Sequence, residues 1–396
     1  MDKWKMVRLG DVLSETITGE WGEVSNDSSG VKVLRTTNFT NKGVVDFTNV
    51  AIRSIPKAKV DKKRLLPCDI ILEKSGGTDN QPVGRVIYFE KLNDIFLCNN
   101  FTQILRVKAN IAYSKYIFYY LFYLHRIGVT ELLQNKTTGI RNLEVKNYMA
   151  LEIPLPPLAV QEKIADVLDR AAALIEKRKA QIAKLDLLVK SQFVTMFGDP
   201  VTNPRGWQVK KLGEIGELNR GISKHRPRND PKLLGGIYPL IQTGEVAAAD
   251  LYIKGYSATY SEIGLKQSKM WPRGTLCITI AANIAKTAIL DIDACFPDSI
   301  VGFTPGECAS QLFIHFWFSF FQEMLEEQAP QSAQKNINLQ ILRDIMVIMP
   351  PMDLQNDFTE FVDNVEVQKL RLKKSLTLLE LNHKSLMQKC FKGDVF

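Results

Sequence analysis

Apolar positions along this chain follow two rhythms, and the alternation between them divides it into four stretches. In the first, β-branched and aromatic runs at 31–35, 69–72, 85–89 and 102–107 are broken by Gly, Pro and Asn and predict short strands. Residues 113–124 predict a helix packed on that sheet. From Gln161 to Phe197 the spacing lengthens to a heptad. Leu168, Ile175, Ile182, Val189 and Met196 fill one seam position, and Ile164, Ala171, Arg178, Leu185 and Gln192 the other. The strand rhythm then returns at 238–242, 275–280, 287–290 and 300–304, ahead of a helix at 311–323. A second heptad closes the chain, with Val362, Lys369, Leu376, His383 and Cys390 in one position and Phe358, Val365, Leu372, Leu379 and Leu386 in the other.

The order of elements repeats because the chain is written twice. Trp4, Val7, Leu9, Gly10 and Asp11 return as Trp207, Val209, Leu212, Gly213 and Glu214. Pro156-Pro157, Gln161, Lys190-Ser191 and Phe197 return at an offset of 194 as Pro350-Pro351, Gln355, Lys384-Ser385 and Phe391. A repeat this long means two whole domains. The two heptads are complementary, the first strong at one seam position and the second at the other, which predicts that the helices pack on each other. The alternative is a pair of amphipathic helices lying on separate domains. Against it stand the charged surfaces Glu176-Lys177-Arg178-Lys179 and residues 369–374.

The expected fold class is α+β: two α/β domains joined by two long antiparallel coiled-coil helices, with a pseudo-two-fold internal repeat. The boundaries fall at 1–152, 153–200, 201–347 and 348–396. At about 1.5 Å per residue, about 35 helical residues make a rod of about 50 Å, the length of roughly one and a half turns of B-DNA.

Composition narrows the chemistry. A net charge of +8 over 396 residues favours a polyanionic partner. Six cysteines, at 68, 98, 277, 295, 308 and 390, form no Cys-x-x-Cys pair and are expected as reduced thiols in a cytoplasmic protein. The four histidines, at 125, 225, 315 and 383, are isolated, so no metal site is expected. No apolar run reaches membrane-spanning length, and no membrane partner is expected.

The motifs framing the helices resemble those of type I restriction–modification specificity subunits. They are Ile153-Pro154-Leu155-Pro156-Pro157-Leu158 with Gln161-Glu162-Lys163-Ile164, and Ile348-Met349-Pro350-Pro351-Met352 with Gln355. Asn142-Leu143, Asn338-Leu339 and the openings at Val7 and Val209 look like the same family. The resemblance covers essentially the whole chain and rests on the order domain, Pro-Pro helix, domain, Pro-Pro helix. The second copy departs in having Asn356-Asp357-Phe358 after Gln355, and Phe391-Lys392-Gly393-Asp394 where the first has Phe197-Gly198-Asp199.

The resemblance implies a non-catalytic subunit that binds double-stranded DNA, with one target recognition domain for each half of a split sequence and the helices setting the gap. Two methyltransferase subunits would dock, and a restriction/translocase subunit would join them. S-adenosylmethionine, ATP and Mg would belong to those partners, with no cofactor in this chain. A coiled-coil adaptor with two protein-binding heads, or a DNA-binding protein without such partners, is the alternative.

Direct readout needs forked donors and acceptors on exposed loops among phosphate-neutralising bases. Glu73-Lys74-Ser75-Gly76-Gly77-Thr78-Asp79-Asn80-Gln81 is read as such a loop, with Lys74 for a phosphate, Gly76-Gly77 for close backbone approach, Asn80 or Gln81 for adenine, and Ser75 as a further DNA-binding candidate; a solvated hairpin loop is the competing reading. Arg35, Thr37 and Asn38 follow a strand and resemble a family loop, with Gln242 and Thr243 as counterparts. Arg220, Ser223, Lys224, His225, Arg226 and Arg228 form the densest basic cluster outside the helices. Lys136, Arg141 and Lys335 precede the Asn-Leu pairs and suit backbone contacts, or merely connect helices.

Catalytic motifs are not found. Neither Pro-Pro pair sits in the Asn/Asp-Pro-Pro-Tyr/Phe motif of an amino-methyltransferase, and Gly-Lys, needed for an ATP-binding P-loop, does not occur. Pro297-Asp298 could open a nuclease motif, but no Glu-x-Lys follows at strand spacing.

Overall fold

A computed structural model of the protein describes residues 4–25, 30–90, 93–137, 140–281, 284–328 and 338–396. Its long helices are α1 (Ser114–Arg126), α2 (Leu158–Phe197), α3 (Gln311–Gln328) and α4 (Met352–Lys392). The heptads foretold α2 and α4 to within a few residues. Both begin just after their Pro-Pro pair, where the amides of Val160 and Gln161 donate to the Pro157 carbonyl at 2.8 and 3.1 Å. The chain forms two compact units, Met1–Lys179 with Ser375–Phe396, and Ala180–Lys374.

In the first unit, β1 (Leu13–Thr18), β2 (Ile70–Glu73), β3 (Val86–Tyr88) and β4 (Thr102–Val107) form an antiparallel sheet in the order β1-β4-β2-β3. Successive side chains point to opposite faces. Ile70, Leu72, Val86 and Leu105 therefore pack on Tyr116, Ile117 and Leu121 of α1, while Ile71, Ile87 and Ile104 join Leu34, Phe39 and Phe96 on the other side. Burial on both faces explains why these strands read as unbroken apolar runs rather than alternating ones.

The second unit has the same plan. Strands β5 (Gly216–Arg220), β6 (Leu276–Thr279), β7 (Thr287–Leu290) and β8 (Ile300–Pro305) lie in the order β5-β8-β6-β7, with Tyr252–Ile253 added parallel to β7. Leu276, Ile278, Val301 and Phe303 pack with Leu312, Phe313 and Trp317 of α3, and Cys277, Ala288 and Ile300 pack with Trp271 and Phe296 on the opposite face. Corresponding strands with corresponding neighbours make the duplication a property of the fold. The repeated ends of each copy also meet. Lys5–Arg8 pairs antiparallel with Glu152–Leu155, and Gln208–Lys211 pairs antiparallel with Met346–Met349.

Each unit contains half of each long helix, packed antiparallel. In the first, Ile164, Ala165 and Leu168 of α2 share a core with Met387, Cys390 and Phe391 of α4, and Lys179 pairs with Glu380 at 3.0 Å. In the second, Val189, Phe193 and Phe197 meet Phe358, Val362 and Val365, and Asp186 pairs with Lys369 at 2.7 Å. Every seam residue of both heptads is buried or half-buried. Lys369, a charged seam residue, is only 5% exposed. The chain is therefore an α+β protein built on an internal repeat. All six cysteines are free.

Candidate nucleic-acid interface

The stretch from Glu73 to Gln81 is more ordered than an exposed loop. Glu73 ends β2 and is buried against Arg85, with Nε to Oε2 at 2.7 Å. Ser75–Gly77 is a strand, hydrogen-bonded to Ile140–Leu143, which pairs in turn with Gln134–Thr137. Sequence reasoning missed this because a three-residue strand with two glycines carries no apolar signal. The pairing gathers Lys74, Ser75, Gly76, Lys136 and Arg141 on or beside one small sheet. Ser75 Oγ bonds Asn142, and Arg141 Nη2 bonds the exposed Asp79 at 2.6 Å.

Lys74 is half-buried; its amide donates to Phe101 O at 2.9 Å, and its ammonium lies 3.4 Å from Thr18 Oγ1. Burial lowers its pKa below the usual lysine value. Gly76, Asn80 and Gln81 are exposed. The Gln81 amide lies against the Arg85 guanidinium, 2.7 Å away when its oxygen is turned to accept.

Arg85, which sequence reasoning overlooked, ties this segment to the turn after the Val31–Leu34 strand by donating to Thr36 O at 3.1 Å and Phe39 O at 3.2 Å. In that turn Thr37 is exposed, but Asn38 is 2% exposed. Its Nδ2 donates to the carbonyls of Asp46 and Asn49, and its Oδ1 accepts from the Arg35 amide at 2.9 Å. Asn38 thus braces a loop and has no face left for a base. Arg35 also donates to Asn49 O at 3.0 Å. The counterpart turn is closed the same way, the Gln242 amide donating to Glu245 Oε2 at 3.1 Å, with Gln242 exposed and Thr243 half-buried.

In the second unit the basic cluster is a braced loop. Gln267 Oε1 accepts the amides of Lys224 and His225 at 2.7 and 3.0 Å, and His225 Nε2 lies 3.0 Å from Asp230. Lys224, His225, Arg226 and Arg228 are exposed. Ser223 is buried and offers its carbonyl to Arg226 Nη1 at 2.6 Å, which removes it from the exposed set. The Asp298 carboxylate holds both Arg226 and Arg228, and its carbonyl accepts from Arg220 Nε. Lys335 lies outside the described residues.

The two clusters occupy equivalent places. Gly19, just after β1, is pressed so closely on the backbone of Cys98 and Asn99 that a Cβ would come within 2.3 Å of their carbonyl oxygens; Gly221, after β5, is pressed in the same way on Phe296 and Pro297. The turns ahead of β4 and β8 are therefore matched. Beside one stand Lys74 and Thr18, and beside the other Arg220, Arg226 and Arg228.

A family model for the type I restriction modification DNA specificity domain matches residues 1–185 and 204–382, once for each copy. The chain belongs to the type I restriction–modification specificity family. The EcoKI specificity subunit of Escherichia coli (strain K12) is 22% identical over 395 residues, covering 92% of this chain and 82% of the relative. Two solved structures share the fold at 16% identity. One is a chain from a structure of the type I R-M system, at TM-score 0.63, covering 99% of this chain and 98% of that one. The other is the S subunit of the type I restriction–modification system from M. genitalium, at TM-score 0.56, covering 98% and 96%. Specificity subunits are the non-catalytic members of such systems, and this chain is one. Among the described residues no helix is long and apolar enough to cross a membrane.

Proposed function

We propose that this specificity subunit reads a bipartite double-stranded DNA target, one recognition domain per half-site. The observation that carries the reading is the pair of matched turns: one scaffold, used twice, bears two different polar and basic sets. Two unlike half-sites call for that combination of constant frame and changed side chains. In this reading α2 and α4 set the gap between the halves. Two methyltransferase subunits dock on the chain with S-adenosylmethionine, and a restriction/translocase subunit brings ATP and Mg. The assembly works in the cytoplasm. The net charge of +8 supports the DNA partner, since each neutralised phosphate releases counterions.

The test is co-expression with its cognate methyltransferase subunit, followed by mapping of modified adenines across the host genome. Two short specified halves around an unspecified gap are expected. A soluble complex that leaves no new modification would overturn the reading in favour of an adaptor or a DNA-binding protein without methyltransferase partners.

A further inference from the structure

A carboxylate in the middle of a DNA-facing basic loop is unexpected, because it repels the phosphates that the loop attracts. Asp298 nonetheless stands there, 27% exposed in its side chain. One of its carboxylate oxygens is 3.3 Å from Arg226 Nη2, and the other bonds Arg228 Nη2. Its backbone carbonyl accepts from Arg220 Nε. Three guanidinium groups thus converge on one residue, and all three stay exposed. Arg226 is fixed further by the carbonyls of Ser223 and His225, at 2.6 and 2.9 Å. The loop backbone is held by Gln267, and the Asp298 turn is locked against Gly221.

We propose that Asp298 is a positioning residue for DNA recognition, which pre-sets Arg220, Arg226 and Arg228 as one rigid group of donors for paired acceptors on DNA. The inference rests on the DNA reading above. A guanidinium carries five N–H donors in a planar fork, so an arginine that spends one or two on Asp298 keeps others to present. Three long cations on one loop repel each other and, left free, sample many rotamers. Ordering them before DNA arrives removes that loss from the binding step. Three positive charges against one negative leave the surface cationic. The first domain does without this device: the matched turn carries Asn99, Asn100 and Phe101, and no carboxylate. The paired acceptors are the O6 and N7 of guanine, because a phosphate contact carries no sequence information.

The sign of one measurement decides. The full chain in its methyltransferase complex is titrated with a duplex bearing the mapped target, and with duplexes in which either half is scrambled. Asp298→Asn, which gives the second domain an uncharged turn like the first, is expected to reduce discrimination against a scrambled second half by about tenfold, the size of one lost bidentate contact. Discrimination at the first half stays intact and reports folding. Affinity for fully scrambled DNA stays equal or rises, because a negative charge has gone. If Asp298→Asn instead tightens binding to every duplex equally, Asp298 is a charge mask and the proposal is wrong.

Wild type that discriminates at both halves, with Asp298→Asn unchanged from it, also sinks this inference while sparing the DNA reading. No discrimination by wild type sinks both. Should Asp298→Asn fail the folding control, Arg228→Ala supplies the decision. Loss of second-half discrimination identifies a guanine contact and supports the proposal, whereas a salt slope reduced by about one with discrimination intact identifies a phosphate contact and overturns it. Neither change would show that the arginine group touches no DNA.

Discussion

The side-chain oxygen of Gln161 accepts the backbone N–H of Tyr113 at 2.8 Å, although the two residues lie far apart in sequence. The amide nitrogen of Gln161 donates to the Pro156 carbonyl at 2.8 Å. Gln355 repeats the arrangement, accepting from the Ser310 amide at 2.9 Å and donating to Pro350 O at 2.9 Å. Both glutamines are fully buried. The Pro-Pro-x-x-x-Gln spacing thus joins two helices: the glutamine satisfies the carbonyl of the first proline and the amide at the start of α1 or α3. Gln161→Glu keeps the acceptor but loses the donor and buries a charge, so it should destabilise the first unit more than Gln161→Leu, which should cost about 2–3 kcal/mol. Urea unfolding of the two variants checks the order.

Phe391 stacks among Tyr116, Tyr120 and Tyr123, with ring centroids 5.8, 5.1 and 5.4 Å away. Its repeat partner Phe197 sits among Phe193, Phe313 and Phe358. Phe391→Ala should cost about 3–5 kcal/mol, and Phe197→Ala a similar amount in the other unit. Hydrogen exchange should show each loss confined to the unit that holds the ring.

Lys369 occupies the seam position that Ile175 holds in the first copy, and pairs with Asp186 at 2.7 Å and Glu366 at 2.8 Å. Burial pulls its pKa down, but the two carboxylates outweigh it and hold it above the ordinary lysine value. Lys369→Met keeps the apolar stem and leaves Asp186 in water, so stability should change by no more than about 1 kcal/mol. Lys369→Glu, which sets three carboxylates together, should cost about 3 kcal/mol or more. Thermal unfolding of the pair distinguishes a register-setting seam charge from one the fold requires.

His315 is buried on α3, with Nδ1 3.0 Å from Thr287 Oγ1. Burial, helped by the charge on Lys369, lowers its pKa to about 4 from 6.5. The unfolded chain therefore takes up a proton at higher pH than the folded one does. The stabilisation from this group is complete above pH 6.5 and is lost as pH falls from there to about 4, amounting to about 3 kcal/mol in all. Denaturant midpoints measured at pH 7 and pH 4.5 should fall further for wild type than for His315→Gln.

The spacer reading makes its own prediction. One heptad inserted after Ile182 and another after Leu376 keeps both seams in phase. Adenine mapping should then return the same two half-sites around a longer gap. Altered half-sites would show that the helices do more than space.

The duplication and both heptads were legible in the sequence because they depend on local periodicity and on residues that recur at a fixed offset. The central strands were legible for the same reason, since burial on both faces writes them as apolar runs. The site was less so. Asn38 and Ser223 have the composition of surface loops, yet both are buried: the Asn38 amide bonds the carbonyls of Asp46 and Asn49, and the Ser223 carbonyl is taken by Arg226. Arg85 and Gln267 gave no signal, being single polar residues whose partners are distant in sequence. Asp298 attracted notice only as half of a nuclease motif. Its contacts place it instead among the arginines.

The interleaving of helix halves sets an order of events during synthesis. Residues 180–374 form an uninterrupted stretch that contains every part of its unit, so that unit has all its material before residues 375–396 are made. The first unit opens the chain but needs Met387, Cys390 and Phe391 for its core. Of the two units, the one whose synthesis starts first is therefore the last to close, and a ribosome that stops before Met387 releases a first unit with an unfinished core.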